Sequence, residues 1–322
     1  MGIQYLNNYM KKTANQESIV KTNLEHLKNK VIAIDTSIYL YRFQSENSLL
    51  ENMYLMISIF QYYNIIPIFV FDGKPPKEKL DIIEKRNNDK LVAQQQHDEL
   101  EKKLLTIKDD SQKNDMIECI NSLKKKFVRL KRTDILNVRD LIDAFGVYYI
   151  EAVGEADELC AKLVIKKHAY ACLSEDMDLF LYGCPRVLRY LSLVNRTVII
   201  YHLDRILNDL DLTFKEFKEI CVVAGTDYNY NTSKNLNLYK ILEYFREYKE
   251  YCKTNETKDD FYTWLDTNHK CIENICELYN TYFMFQTNKI KLPNIKSINL
   301  RKDLNHNKIR KIMEPEGFIF LD

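Results

Sequence analysis

Apolar residues are distributed along this 322-residue chain in two ways: short unbroken runs, and longer stretches where they recur every three or four positions. Val31–Ile34, Ile66–Phe71 and Ala169–Leu173 are runs of strand length, and each ends in carboxylates: Asp35-Thr36-Ser37, Asp72-Gly73-Lys74 and Ser174-Glu175-Asp176-Met177-Asp178. Helical spacing marks residues 38–43, 48–64, 156–164 and 214–223, the last running into Ala224-Gly225-Thr226-Asp227-Tyr228. Residues 147–150, 187–191 and 197–202 read as further strands, and a short polar helix or loop follows Met1–Leu6. Strands alternating with helices predict an open α/β sheet, and ligands bind such sheets beyond the carboxyl ends of the strands.

From Lys77 to about Arg139 the pattern changes. The stretch is highly charged and contains no Gly or Pro, which predicts long helices projecting from the globule. Its end carries Lys124, Lys125, Lys126, Arg129, Lys131, Arg132 and Arg139 against only Asp134 and Asp140. Such a run reads equally as a solvated helix face or as a contact for an anionic partner.

Composition bounds the rest. A content of 46% hydrophobic and 29% charged residues supports a large core. A net charge of +1 gives no overall nucleic-acid signature, so any such partner must be read from local charge. Eight scattered cysteines with no paired CxxC, and no long apolar run or leader, predict an intracellular, non-secreted chain with reduced thiols and no membrane partner.

The chemistry lies in the acids. Glu155 and Asp157, alone, could be helix-capping residues, and Asp-x-Asp after a strand could be a turn. Strand after strand ending in Asp makes Asp35, Asp72, Glu155, Asp157, Asp176, Asp178 and Asp227 one candidate site. Like charges about 4 Å apart repel by roughly 4 kcal/mol at an effective dielectric near 20, so the cluster calls for divalent metal. An oxygen-only set without His or Cys fits Mg²⁺ or Mn²⁺ rather than zinc, and the number of acids suggests two ions, the arrangement used in phosphodiester hydrolysis.

Met-Gly-Ile-Gln at the start, Ile-Asp-x-Ser at 34–37, Val-Phe-Asp-Gly-Lys-Pro-Pro at 70–76, Glu-Ala-Asp-Glu before Cys160, Glu-Asp-Met-Asp at 175–178 and Gly-Thr-Asp-Tyr at 225–228 resemble the flap endonuclease family. These are structure-specific 5′ nucleases related to the xeroderma-pigmentosum-G nuclease. The resemblance runs in order from Met1 to about Tyr228. It implies a PIN-like α/β/α sandwich with a mostly parallel central sheet, a helical arch at about 77–139 and a seven-carboxylate site for two Mg²⁺ ions, with Mn²⁺ able to substitute. It further implies a nuclease core over 1–228 and a C-terminal helical, helix-two-turn-helix-like DNA-binding region over 229–322.

By the same resemblance, Lys79 and Arg86, seven positions apart and so on one helix face, match the catalytic basic pair on the scissile phosphate. Tyr41 matches the aromatic on which the adjacent base stacks. Taken alone, Tyr41 reads as core and the two cations as a solvated face. Gly2 would place its amine near the site once Met1 is removed. Lys74, Lys124, Lys125, Arg129, Lys131 and Arg132 are the expected DNA contacts.

The sequence departs from the family in two places. The family's Gly-Ile-Gly hairpin, which binds duplex and potassium, has Asn235-Leu236-Asn237 as its counterpart; Asn tolerates a left-handed backbone better than other residues bearing a side chain. The stretch Glu314–Asp322 lacks the Gln-x-x-aliphatic-x-x-aromatic-aromatic pattern of sliding-clamp binding. The expectation is a monomeric, Mg²⁺-dependent nuclease that cuts 5′ flaps of branched, nicked or gapped DNA in replication and repair, in the nucleus or cytoplasm. A 5′→3′ exonuclease or RNase H-like primer remover, and an inactive junction-binding scaffold, remain as alternatives.

Overall fold

The computed structural model of the chain describes residues 2–104, 110–229, 236–254, 259–287, 292 and 303–320. In chain order its first half consists of α1 (Leu6–Thr13), β1 (Ile19–Asn23), β2 (Val31–Asp35), α2 (Thr36–Ser45), α3 (Leu49–Tyr62), β3 (Ile66–Phe71), α4 (Leu80–Leu104), α5 (Asp110–Lys124) and α6 (Arg132–Ala144). Then come β4 (Tyr148–Glu151), α7 (Ala156–Ile165), β5 (Ala171–Leu173), α8 (Asp178–Leu181), β6 (Arg186–Ser192), β7 (Thr197–His202), α9 (Leu203–Asp209) and α10 (Phe214–Ala224). The last helices are α11 (Leu238–Thr254), α12 (Phe261–His269), α13 (Ile275–Met284) and α14 (His306–Met313).

The strands form one seven-stranded sheet in the order β1-β7-β6-β5-β2-β3-β4. From β6 to β4 neighbours run parallel, while β7 is antiparallel to β6 and β1 to β7. Successive residues of a strand face opposite sides, and the core divides accordingly. Ile32, Ile34, Phe69 and Phe71 pack with α2, α3, α6 and α14, whereas Ala33, Ile68 and Val70 pack with α1 and with α7 to α13. Helices α11 to α13 contribute Phe245, Trp264 and Leu278 to that second layer. This is the expected α/β/α sandwich.

Pro67 sits within β3, a central strand. It is tolerated because β4 pairs with β3 only from Ile68 onward, so the missing amide faces no partner. Three elements were not evident from the apolar pattern: β1, whose Ile-Val-Lys-Thr-Asn has only two apolar residues and lies at the sheet edge, and the short helices α8 and α9. Beyond β3, the 25-residue α4 packs against α5 as a charged hairpin, the long helices expected from the sequence, whereas α6, which starts at Arg132, packs in the core through Val138, Leu141 and Ile142. Phe318 and Phe320 fold back against Tyr54, with ring centroids 5.1 and 6.3 Å away.

Candidate active site

Strand register brings the acids to one edge. Asp35 lies opposite Val70, and Ile34 opposite Leu173, so Asp72 and Ser174–Asp178 leave the sheet beside the end of β2. Ser174 joins two of these loops: its hydroxyl donates to Asp35 Oδ2 at 2.8 Å and accepts the Asp176 N–H at 3.1 Å. Asp72 accepts the Ala156 N–H at 2.8 Å, tying the loop after β3 to the start of α7, which carries Glu155 and Asp157. The close approach requires Gly73, because a Cβ there would stand 2.0 Å from the Ala152 carbonyl oxygen.

Asp35, Ser37, Ile38, Tyr41, Asp72, Gly73, Pro75, Lys79, Ile83, Arg86, Asn87, Lys90, Glu155, Asp157 and Asp176 line an open cleft of 530 Å³. Asp178 and Asp227 are held against the same group, Asp178 beside Asp176 and Asp227 beneath the two cations. The structure therefore brings all seven acids together. Gly2 lies with them: a Cβ on it would sit 2.7 Å from Asp178 Oδ1 and 2.8 Å from Asp176 Oδ1.

The sequence calls on metal alone to neutralise these acids. The structure corrects this, because the chain supplies part of it. Lys79, only 7% exposed, donates to Glu155 Oε1 at 2.5 Å and lies 3.8 Å from Asp227 Oδ2; Arg86 donates to the same Asp227 oxygen at 2.6 Å. A second correction concerns the placement of the pair. Lys79 ends a 3-10 turn, Lys77–Lys79, ahead of α4, so only Arg86 belongs to the α-helix. Both point inward, which rules out a solvated face for Lys79.

Burial also favours the neutral form of several of the acids. Burial, followed by Asp72, raises the Asp35 pKa to about 8, with the Ser174 hydrogen bond opposing. Asp157 and Asp178 are also pushed well above the usual carboxylate range, by burial first and then by Glu155 and Asp176 respectively. Burial works against the Lys79 ammonium, but Glu155, Asp157 and Asp227 together override it and raise its pKa. Both oxygens of Asp178, buried, accept no hydrogen bond among the described residues. Buried acceptors without donors are costly, and a cation would satisfy them.

Tyr41 is 44% exposed at the rim, with Lys90 Nζ 4.9 Å above its ring, so it is not a core residue. Tyr41, Asn87, Lys90, Leu91, Arg129 and Leu130 bound a second opening, of 330 Å³, between α2, α4 and the segment after α5. Lys124 lines the neighbouring groove with Arg129, while Lys74, Lys125, Lys131 and Arg132 are exposed. Asn237 caps α11 by accepting the Lys240 N–H at 3.0 Å; Asn235 lies outside the described residues. On α4, His97, Asp98 and Glu101 also offer three ligand atoms within 4.8 Å of one another. Their geometry argues for packing instead: the two ring nitrogens face different carboxylates, and the ring lies edge-on to Phe127.

Three residues escaped the sequence reading. Ser174 bridges two strands, Tyr228 donates to Glu155 Oε2, and Asn229 accepts from the Thr226 amide and hydroxyl to brace the turn that presents Asp227. Each directly adjoins a flagged acid or motif.

Residues 1–93 match the XPG N-terminal domain and residues 146–227 the XPG I-region, together more than half of the chain. Flap endonuclease 1 of Methanococcus aeolicus is 29% identical over 280 residues, covering 81% of this chain and 79% of that protein. Flap endonuclease 1 of Lodderomyces elongisporus is 31% identical over 250 residues, covering 71% of this chain and 61% of the relative. The catalytic core of Rad2, solved in complex with a DNA substrate, superposes with a TM-score of 0.70 over 98% of this chain and 96% of its own, at 21% identity, a likeness of fold. No helix among the described residues is long and apolar enough to cross a membrane.

Proposed function

Because the chain belongs to the XPG family of nucleases, we propose that it is a divalent-metal-dependent, structure-specific 5′ nuclease that cuts 5′ flaps of branched DNA where single strand meets duplex, in replication and repair. The convergence of seven carboxylates and two inward-facing cations at one sheet edge carries this reading. Two divalent cations, Mg²⁺ or Mn²⁺ in its place, would supply a nucleophile at neutral pH and neutralise charge on the attacking and leaving oxygens. Asp35, Asp72, Glu155, Asp157, Asp176, Asp178 and Asp227 are the residues to hold them, an oxygen-only set suited to hard cations.

Lys79 and Arg86 then have a second use. Both are engaged by carboxylates in this structure, and a scissile phosphate entering the cleft gives them charge-assisted hydrogen bonds in exchange. Tyr41 offers an exposed ring to the base beside the cut bond. The 5′ end passes the opening bounded by Tyr41, Lys90 and Arg129, while Lys74, Lys124, Lys125, Lys131 and Arg132 contact backbone phosphates. The helices beyond residue 228 receive duplex, with the Asn237-capped start of α11 facing it. One chain supplies every acid, so the active form is a monomer that acts wherever DNA is replicated in the cell.

The test is to map the cut on a double-flap substrate with and without Mg²⁺. A single cut at the junction, lost without Mg²⁺ and in Asp176→Asn, supports the assignment. Stepwise products from nicked duplex indicate an exonuclease instead, and tight flap binding without cleavage a scaffold.

A further inference from the structure

Glu155 is gripped on both sides. Lys79 occupies Oε1, and the Tyr228 hydroxyl donates to Oε2. Tyr228 has one hydroxyl proton, committed to this carboxylate, so the Tyr182 hydroxyl, 3.3 Å away, must donate to the Tyr228 oxygen. Burial foremost, then the acids nearby, pushes both phenols above their ordinary pKa, which keeps them as donors.

The pair is itself held from the C-terminal helices. Phe285, which follows α13 and is 3% exposed, meets Tyr182 and Tyr228 edge-on with ring centroids 5.0 and 5.3 Å apart. Its carbonyl accepts from Lys218 Nζ at 3.1 Å, and Lys218 is buried on α10. Phe285 lies beyond both family-matched stretches, 1–93 and 146–227, yet its ring helps fix a hydroxyl bonded to a site carboxylate.

We propose that Tyr228, backed by Tyr182 and clamped by Phe285, is a positioning residue that presets the Glu155 carboxylate for a divalent cation, so that the C-terminal helices tune metal affinity as well as meeting duplex. This rests on the metal-dependent nuclease reading above. A flexible Glu side chain has several rotamers to lose on binding a cation, and fixing it beforehand removes that cost from the binding step. Partners that hydrogen-bond to metal ligands typically matter by 10–100-fold in affinity.

The experiment measures Mn²⁺ binding to the DNA-free full chain by electron paramagnetic resonance, alongside the Mg²⁺ dependence of flap cleavage. Tyr228→Phe keeps the ring and its contact with Phe285 while removing the donor. It is expected to weaken Mn²⁺ binding about 10-fold, to raise the half-saturating Mg²⁺ concentration by a similar factor, and to leave kcat at saturating Mg²⁺ and DNA affinity little changed. A merely structural role would lower the melting temperature without moving the metal titration. Tyr182→Phe should shift the titration in the same direction by less, and it decides the matter should Tyr228→Phe fail to fold. Wild-type Mn²⁺ affinity in a folded Tyr228→Phe, or in Tyr182→Phe where the first variant does not fold, overturns the positioning role alone. A wild-type chain that takes up no Mn²⁺ overturns the metal site as well.

Discussion

Arg86 donates to Asp227 across 2.6 Å, joining the first turns of α4 to the loop that follows α10, 141 positions later. Asp227 Oδ2 also lies 3.8 Å from Lys79, so two cations share one carboxylate oxygen. The base of the charged hairpin is thereby latched to the acidic edge of the sheet by the two groups proposed to meet the scissile phosphate.

The two cations should separate in their effects on stability. Lys79 has a side chain 9% exposed, and removing one partner of a buried pair leaves the other uncompensated, so Lys79→Ala should cost the metal-free protein about 3 kcal/mol. Arg86 is 41% exposed, and its replacement by Ala should cost under about 1 kcal/mol. Both should lower kcat by about 10²–10³-fold, the usual effect of losing one transition-state donor. Chemical denaturation and single-turnover cleavage check this. Equal stability losses, or wild-type kcat in either variant, would contradict it.

Asp178 should show the opposite trade. Its two oxygens lack donors, and burial first, then Asp176 and Asp227, disfavours its charged form. Asp178→Asn removes the cost of burying or protonating a carboxylate there and brings amide donors among acceptors, so the metal-free melting temperature should rise by about 2–4 °C for each 1 kcal/mol gained. Flap cleavage should fall by at least about 10–100-fold, the effect of losing even an outer partner of a metal ligand. Differential scanning calorimetry in EDTA supplies the first value. A lower melting temperature would mean that Asp178 is satisfied by a partner of its own.

How much of this could be read in the sequence depended on where side chains report their role locally. Strands ending in Asp announced the acidic edge, because a buried parallel strand is a continuous apolar run and its first carboxylate marks where it leaves the core. Glu155 and Asp157 joined the set from the first turn of a helix and Asp227 from the end of another, in the order of the family's motifs. What was not legible required three-dimensional proximity. Nothing in spacing links Ser174 to Asp35 or Tyr228 to Glu155, 73 positions apart. The sequence could show that the acids repel, but not that Lys79, placed in a 3-10 turn instead of the helix, already answers part of that repulsion. Edge strand β1 was missed because half-buried pairing with β7 demands little apolar content.

Tyr41 tests the substrate side of the cleft. Its ring is 44% exposed, with the Lys90 ammonium 4.9 Å over it, so a stacked base can displace that lysine without disturbing the core. Base stacking on an aromatic is worth about 1–3 kcal/mol, so Tyr41→Ala should lower kcat/KM on a 5′ flap by about 10-fold or more, while Tyr41→Phe stays near wild type. Steady-state cleavage of flap and nicked substrates gives the comparison. A Phe variant as impaired as the Ala variant would assign the contribution to the hydroxyl.

Asp35 sets a pH dependence that metal should erase. Its carboxyl titrates near pH 8 in the folded chain against 3.8 without the fold, from burial first and Asp72 second. Between those values the folded state keeps a proton that the unfolded chain has released. The stability Asp35 contributes is therefore complete below its unfolded pKa and lost as the pH rises through about 8. Asp157 and Asp178, raised in the same sense, add to the decline. In EDTA the melting temperature should fall between pH 6 and pH 9 by at least about 2 °C. With saturating Mg²⁺ the cation takes the place of the proton, and binding to the folded state alone stabilises it more as the ligands deprotonate, so the decline should flatten or reverse. The difference between the two curves isolates the groups whose protons compete with the cation from those that titrate independently of it. Parallel curves would mean that the buried carboxyls are not where the metal binds.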